Sequence, residues 1–290
     1  MVTRVNATLA HPRLSGEGLE HQVQLACVLE VSARKPGNIT PAHDFSDTTY
    51  ADMVRSALAL GPVLARPRVL RRRVGELIAD GVQATARVAG ANTNLGIVLL
   101  FAPLAKAAAE RGASEPLRSS VERILTRLDV DDAAAAFAAI ASAQPGGLGE
   151  APEHDVRAPA RVPLREAMAA AAHRDSIASE YATGYAIVFG TGLPLLDDAL
   201  RNNSSTLDAV VAVHVGLLAA HPDTLIARKA GDAAARAVSE GAREVRAGAR
   251  SLADFDRSLR GADNRLNPGT TADLVAGTLL AALLSGVRLP

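Results

Sequence analysis

Residues 30–52 read EVSARKPGNITPAHDFSDTTYAD and form a polar loop between two segments with helical periodicity. Pro36 and Pro41 fix the backbone of this loop, and Gly37 loosens it. A plain connector needs few polar side chains, but this one holds Glu30, Arg34, Lys35, Asn38, His43, Asp44, Asp47 and Asp52. Because loops between rigid elements often carry chemistry, we expect groups for phosphate binding, metal binding or proton transfer here.

The helix that leads into this loop ends its apolar face at Glu30. The residues that share this face by spacing are Leu19, Val23, Ala26, Cys27 and Glu30. Burial of a carboxyl group raises its pKa unless a cation or a metal compensates. Two interpretations stay open at this point: Glu30 is a functional carboxylate, or it is a structural residue paired with Arg34 one turn further on.

The composition excludes several classes of protein. Hydrophobic residues make up 48% of the 290 residues, whereas aromatic residues make up 3% and Trp is absent, which favours close-packed helices built from Ala, Leu and Val. Lys and Arg (31) balance Asp and Glu (31), so no net field attracts nucleic acid or a membrane. Cys27 is the only cysteine, which excludes an internal disulfide and a multi-cysteine zinc site.

No apolar run in the sequence is long and charge-free enough to span a bilayer, and no signal peptide is evident at the N-terminus. We therefore expect a cytoplasmic protein with small-molecule partners and no nucleic acid or membrane partner. A homo-oligomer is compatible with the sequence.

Helical signals recur along the chain, and no alternation typical of strands persists. The predicted helices are 16–34, 49–65, 67–89, 95–112, 116–127, 131–143, 163–190, 192–202, 205–220, 223–247, 250–260 and 270–286. We predict a flexible lead-in over residues 1–15 and one compact all-α domain over residues 16–290. The Pro- and Gly-rich residues 144–163 are interpreted as a long loop over one core rather than a domain linker.

Three further stretches place polar groups next to predicted helices. The first, GANTNLG at 90–96, is either a simple helix cap or an anion site made by Asn92, Asn94 and the helix start. The second, HPDTLIARKAG at 221–231, joins Asp223, a candidate cap, to Arg228 and Lys229, which could bind phosphate. The third, NPGTTADL at 267–274, fits a capping box formed by Thr270 and Asp273.

Asp175 falls on the apolar face of the predicted helix 163–190, so we expect it to point into the core or a cleft. The sequence contains no P-loop, dinucleotide-binding or zinc-protease motif. If the chain binds a nucleotide, it must use helix starts, scattered basic groups and metal-bearing carboxylates.

Taken in order, these stretches resemble the triphosphoribosyl-dephospho-CoA synthase family. The matching pieces are Glu30-Val31, Lys35-Pro36-Gly37-Asn38, the stretch 90–96, Gly146-Gly147-Leu148-Gly149 with Asp155-Val156, Asp223-Thr224 with Arg228-Lys229-Ala230-Gly231, and the stretch 267–274. The resemblance implies an all-α pentosyltransferase that uses ATP and 3′-dephospho-CoA and releases adenine. Its departures lie at presumed binding positions: Asn94-Leu95 stands where the family has His-Lys, and Asn38-Ile39-Thr40 stands where it has Leu-Val-Asp.

The resemblance also implies roles for individual residues. An acceptor ribose hydroxyl would attack the anomeric carbon of ATP through an oxocarbenium-like transition state stabilised by carboxylates. Glu30 is predicted as the base, with Asp47 as a second catalytic carboxylate. The predicted ligands of Mg²⁺ are Asp47, Asp223 and Asp273. The residues predicted to bind ATP or its phosphates are Lys35, Asn38, Asn92, Asn94, Arg228 and Lys229.

Two alternatives remain at this stage. The first is another ATP-dependent ribosyl- or phosphotransferase on the same scaffold, acting for example on a pterin-type one-carbon carrier. The second is a non-catalytic helical scaffold, in which every polar site is a cap or a surface pair.

Overall fold

The computed structural model describes residues 16–89, 94–146, 153–202, 205–261 and 263–289. These residues form fifteen α-helices and one π-helical turn, without a strand among them, which confirms the all-α prediction. The helices are α1 Gly16–Ser32, α2 Tyr50–Val63, α3 Arg66–Arg71, α4 Val74–Ala89, α5 Leu95–Glu110, α6 Leu117–Thr126, α7 Val130–Ala143, α8 Leu164–Ala171, α9 Ser176–Thr183, α10 Leu193–Asn202, α11 Thr206–Ala220, α12 Thr224–Ala230, α13 Asp232–Arg246, α14 Leu252–Leu259 and α15 Gly269–Leu284. The π turn is Val188–Gly192. The predicted lead-in, residues 1–15, lies outside the described residues.

Helices α5 and α15 form the centre of the molecule. Both are buried on almost every side, as their continuous apolar sequences require, and they pack against each other. Helix α15 also contacts α1 and α11, and α5 also contacts α4 and α6. A smaller hydrophobic cluster joins α11, α12, α13 and α14 around Phe255. This arrangement places the N-terminal ends of α5 and α15 side by side, where Gly96 meets Asp273.

The prediction of one continuous helix over 163–190 was wrong. The backbone at Asp175 is extended, and its Oδ1 accepts hydrogen bonds from the N–H groups of Ile177 (2.8 Å) and Ala178 (3.1 Å), so Asp175 caps a new helix. Helix α9 then ends at Gly184, which has φ +66°. The shared apolar face predicted through these residues is therefore interrupted twice.

Two other predicted helices are also divided. The segment 223–247 breaks at Gly231, whose φ of +90° ends α12 and begins α13. The segment 67–89 divides into α3 and α4 at Arg72 and Arg73. The capping box predicted for Thr270 and Asp273 was wrong as well, because α15 already begins at Gly269.

Within the described part of the chain, no single helix is long and apolar enough to cross a membrane. The one helix pair with enough combined length, α11 with α12, is bent by 59°.

Candidate active site

A cavity of about 670 Å³ opens where the starts of α5, α9, α12 and α15 approach the loop that follows α1. The polar part of its lining includes Glu30, Asn94, Asp175, Arg228, Asn267 and Asp273. The apolar part comes from α5, α7, α8 and α9 through Leu99, Phe137, Ile140, Met168 and Ile177. Residues 45–48 and 153–156 complete the wall with non-helical segments.

Most of the predicted site residues meet at this cavity although they are far apart in sequence. Those that line it are Glu30, Asn38, Asp47, Asn94, Arg228, Lys229 and Asp273. Lys35 and Asp223 are buried behind the lining and do not form part of it. Asn92 lies outside the described residues.

Glu30 is paired with Lys35 rather than with Arg34. The Lys35 Nζ lies 2.9 Å from the Glu30 Oε1, and the two side chains are 0% and 4% exposed. The same ammonium donates to the main-chain carbonyl of Glu30, whereas Arg34 is exposed. Among the described residues none donates to the Glu30 Oε2, so the second oxygen is left to the cavity that Glu30 lines.

Asp273 presents a carboxyl group at the junction of α15 and α5. A Cβ added at Gly96 would lie 2.1 Å from the Asp273 Oδ2, so only glycine leaves room for this carboxyl group at the start of α5. Burial raises the pKa of Asp273 well above its usual value, the negative charges of Glu30, Asp223 and Asp175 raise it further, and Arg228 opposes them. Without a cation beside it, the Asp273 carboxyl group therefore favours its protonated, neutral form.

Asp223 connects two helices through its carboxylate. Its Oδ1 accepts hydrogen bonds from the N–H groups of Leu225 (2.9 Å) and Ile226 (3.0 Å) at the start of α12. Its Oδ2 accepts from the N–H (2.7 Å) and the hydroxyl (2.8 Å) of Thr271 near the start of α15. Both oxygens are thus fully used within the protein, so Asp223 is suited to bracing these helices rather than to holding a metal ion.

The starts of three helices are joined directly at the cavity wall. The N–H of Ser176 in α9 donates to the Thr224 hydroxyl in α12 over 3.3 Å, and that hydroxyl donates to the Thr270 hydroxyl in α15 over 3.2 Å. Helix α5 begins beside them, and Asn94 precedes it without a side-chain capping bond to the helix. Carboxylates already cap α9 and α12, so the start of α5, with its partial positive charge, is the part of this wall that favours an anion.

Two cationic side chains, Arg228 and Lys229, line the cavity but differ in their partners. Arg228 donates from Nη1 to the Asp175 Oδ2, so Asp175 is paired with a cation of another helix. Lys229 also lines the cavity, and no described side chain forms an ion pair or a hydrogen bond with its ammonium group. Lys229 is thus the more available of the two for a phosphate group.

Asn38 is held in place by the segment before α15. Its Nδ2 donates to the Asn267 Oδ1 (2.7 Å) and more weakly to the Pro268 carbonyl (3.5 Å). Gly37 before it, with φ +75°, donates from its N–H to the Asp256 Oδ1 of α14 over 2.8 Å. The loop that follows α1 is therefore fixed to α14 and to the start of α15.

The carboxylates do not form a metal site by themselves. No group of three or more His, Cys, Asp or Glu residues among those described is arranged to hold a metal ion. A Mg²⁺ ion usually needs only one or two carboxylates, because substrate phosphates and water complete its shell. Asp273, which lines the cavity together with Glu30 and Asp175, fits that kind of shared site, because a bound cation would offset the effects that raise its pKa.

Part of the lining was not among the predicted site residues. Glu153, His154 and Asp155 line the cavity, and their charge in a Gly- and Pro-rich loop was a usable signal. Arg174 and Asn267 line it too, but only the fold brings them there. The apolar part of the lining could not be predicted, because its residues have the sequence pattern of ordinary core positions.

The family model described as ATP:dephospho-CoA triphosphoribosyl transferase (CitG) matches residues 17–289. The chain is also similar to a crystal structure from Archaeoglobus fulgidus, described as a candidate triphosphoribosyl-dephospho-CoA synthase, with 26% sequence identity and a TM-score of 0.64. That match covers 80% of this chain and 99% of the other. No curated protein matches the sequence significantly.

Proposed function

The chain belongs to the ATP:dephospho-CoA triphosphoribosyl transferase family, and we propose that the cavity described above is where it transfers the triphosphoribosyl group. The family uses ATP and dephospho-CoA as substrates, and the chain is a transferase of the triphosphoribosyl-dephospho-CoA synthase class. The observation that carries the proposal is the convergence of Glu30, Asp273 and Lys229, which are up to 243 residues apart in sequence (273 − 30), on one cavity at clustered helix starts.

The reaction breaks the bond between the ribose C1′ of ATP and adenine, and it forms a bond from C1′ to a hydroxyl oxygen of the acceptor. The acceptor loses a proton, and adenine gains one as it leaves. Glu30 is the proposed base, because its Oε1 is held by Lys35 and its Oε2 is left to the cavity. The carboxylate of Asp175, which also lines the cavity, would stabilise positive charge that develops on the ribose.

The triphosphate would lie along the helix starts and the cations beside them. Lys229 and Arg174 line the cavity, and neither side chain has an ion-pair partner among the described residues. Arg228 would orient the phosphate chain while it remains paired with Asp175. Asn94, at the start of α5, is placed to contact sugar or phosphate oxygens.

Asp273 would hold a Mg²⁺ ion shared with the phosphates, and the ion would offset their negative charge. Asp47, at the exposed rim of the cavity, is the second proposed ligand. Asp223 is not included, since four hydrogen bonds already occupy its two oxygens.

The direct test is incubation of the purified protein with ATP, Mg²⁺ and dephospho-CoA, followed by chromatographic detection of adenine. We expect adenine and the triphosphoribosylated acceptor in equal amounts. Glu30→Gln should reduce the rate by about 10²–10⁴-fold, the usual contribution of a general base. The matched control is Glu240→Gln, on the exposed face of α13, which should leave the rate unchanged.

The products separate the proposal from its alternatives. Formation of ADP without adenine would show phosphoryl transfer rather than glycosyl transfer. A Glu30→Gln variant with the normal rate would show that another group takes the proton.

A further inference from the structure

Lys35 is the largest fully buried cationic side chain among the described residues, and its polar contacts are with Glu30 and Ala33. The ammonium group contacts the Glu30 carboxylate, the Glu30 carbonyl and, at 3.5 Å, the Ala33 carbonyl. Its side chain is 0% exposed, and it does not line the cavity. A phosphate in the cavity therefore cannot reach it without a rearrangement of the loop after α1.

Glu30 is the only anionic partner of Lys35 among the described residues. The other ionisable group next to it is His214 of α11, which is fully buried. Burial lowers the pKa of His214 well below its usual value, and the charge of Lys35 lowers it further, so the imidazole is neutral. The Glu30 carboxylate therefore carries the whole counter-charge of the buried ammonium group.

The pair also determines where the carboxylate can point. Lys35 follows the end of α1 and is fixed by the loop through Gly37 and Asn38, which are bound to Asp256 and Asn267. An ammonium group fixed in this way restrains the Glu30 Oε1 at 2.9 Å. Rotation of the carboxylate would break this bond inside the protein, where an unpaired charge is costly.

We infer that Lys35 is a positioning residue that holds the Glu30 carboxylate with one oxygen toward the substrate, and that it does not bind phosphate. This inference rests on the proposed function of Glu30 as the base. In this view the Lys-Pro-Gly segment helps to deprotonate the acceptor hydroxyl, through Glu30, and does not bind the triphosphate.

The experiment compares Lys35→Met, Glu30→Gln and the double variant in the adenine-release assay, and measures the Kd of each for ATP without acceptor. We expect Lys35→Met to lower kcat by about 10²-fold, as misplacement of a catalytic group does, with little change in the KM for ATP. The double variant should be no slower than Glu30→Gln and should bind ATP equally well. Lys106→Met is the control for loss of a shielded lysine, because Lys106 binds the Val69 (2.8 Å) and Arg72 (2.9 Å) carbonyls away from the cavity.

The outcomes distinguish failure of the positioning role of Lys35 from failure of the base assignment of Glu30. A raised KM or Kd for ATP in Lys35→Met, or additive losses in the double variant, would overturn the positioning role alone. Full activity of Glu30→Gln would remove the base assignment and this inference together. If Lys35→Met does not fold because it leaves Glu30 unpaired, the double variant decides: weaker ATP binding than in Glu30→Gln would make Lys35 a phosphate ligand, and equal binding would support positioning.

Discussion

Glu180 shows how one buried carboxyl group can support an unusual backbone. Its two oxygens accept hydrogen bonds from the N–H groups of Ile187 (2.7 Å) and Val188 (2.9 Å), where the chain enters the π turn. Burial raises the pKa of Glu180 from 4.5 to about 7, although these hydrogen bonds and the charge of Arg118 lower it. The residue therefore links the stability of this turn to pH.

We expect the contribution of Glu180 to stability to decline as the pH rises from about 4.5 through about 7. The sign follows because the folded protein keeps a proton that the unfolded chain has already lost. Denaturant unfolding at several pH values between 5 and 8 measures this effect. Glu180→Gln should make the free energy of unfolding depend less steeply on pH. It should also lower that free energy by about 1–3 kcal/mol, because the amide cannot accept both hydrogen bonds. Equal slopes for Glu180→Gln and the wild type would contradict the assignment.

Single residues also mark the limit of what the sequence allows one to predict. Glu30 at the end of an apolar face was a sound prediction of a cavity carboxylate, because the periodicity fixed its direction. The partner of Glu30 could not be predicted from helical spacing, since α1 ends at Ser32 and Lys35 contacts Glu30 from the turn beyond that end. From the sequence, Asp223 could either cap a helix or bind a metal. Its hydrogen bond from Thr271, which decides between these roles, depends on the packing of α12 against α15.

At the scale of helices, the chain's high alanine content hides the ends of its elements. The apolar periodicity runs through 163–190 and 223–247 without interruption, so both segments were predicted as single helices. The breaks depend on Asp175, which bonds forward to its own new helix, and on Gly231, which takes a conformation that glycine adopts easily. These helix breaks allow Arg228 of α12 to pair with Asp175 at the cavity.

Gly231→Ala should destabilise the protein by about 1–3 kcal/mol, because φ +90° strains any residue with a Cβ. Nothing lies within 4 Å of the added Cβ, so steric contact would not contribute. Gly112→Ala is the matched control: its Cβ also meets open space, and its φ is not in the positive range. Its effect on the free energy of unfolding, measured by denaturant titration, should stay within about 0.5 kcal/mol. Equal losses for the two variants would show that strain at Gly231 is not the cause.

At the scale of the molecule, a neutral chain concentrates opposing charges in one place. The overall balance of 31 basic and 31 acidic residues gives no hint of this arrangement. The fold brings helix starts, Lys229 and Arg174 to the same cavity as Asp273 and Glu30. The all-α class was predictable from composition, whereas the partner of each charge depended on helix packing that the sequence does not display.

ATP with Mg²⁺ should raise the melting temperature in the absence of an acceptor. Binding at 100 times the Kd stabilises a protein by about 2.7 kcal/mol. ATP with a chelator should stabilise less, and Lys229→Ala should reduce the effect of ATP because it removes a cation from the cavity lining. Thermal unfolding followed by circular dichroism measures all three. The absence of any shift with ATP and Mg²⁺ would contradict nucleotide binding here and favour a non-catalytic scaffold.

The brace formed by Asp223 has a consequence for how substrates come and go. Because one carboxylate fastens α12 to α15, the walls that carry Arg228 and Asp273 cannot separate without losing hydrogen bonds on both sides. Substrates are therefore not expected to enter by separation of these two helices. The non-helical segments 45–48 and 153–156 form another part of the wall, and we expect nucleotide and acceptor to enter there while α12 and α15 stay together.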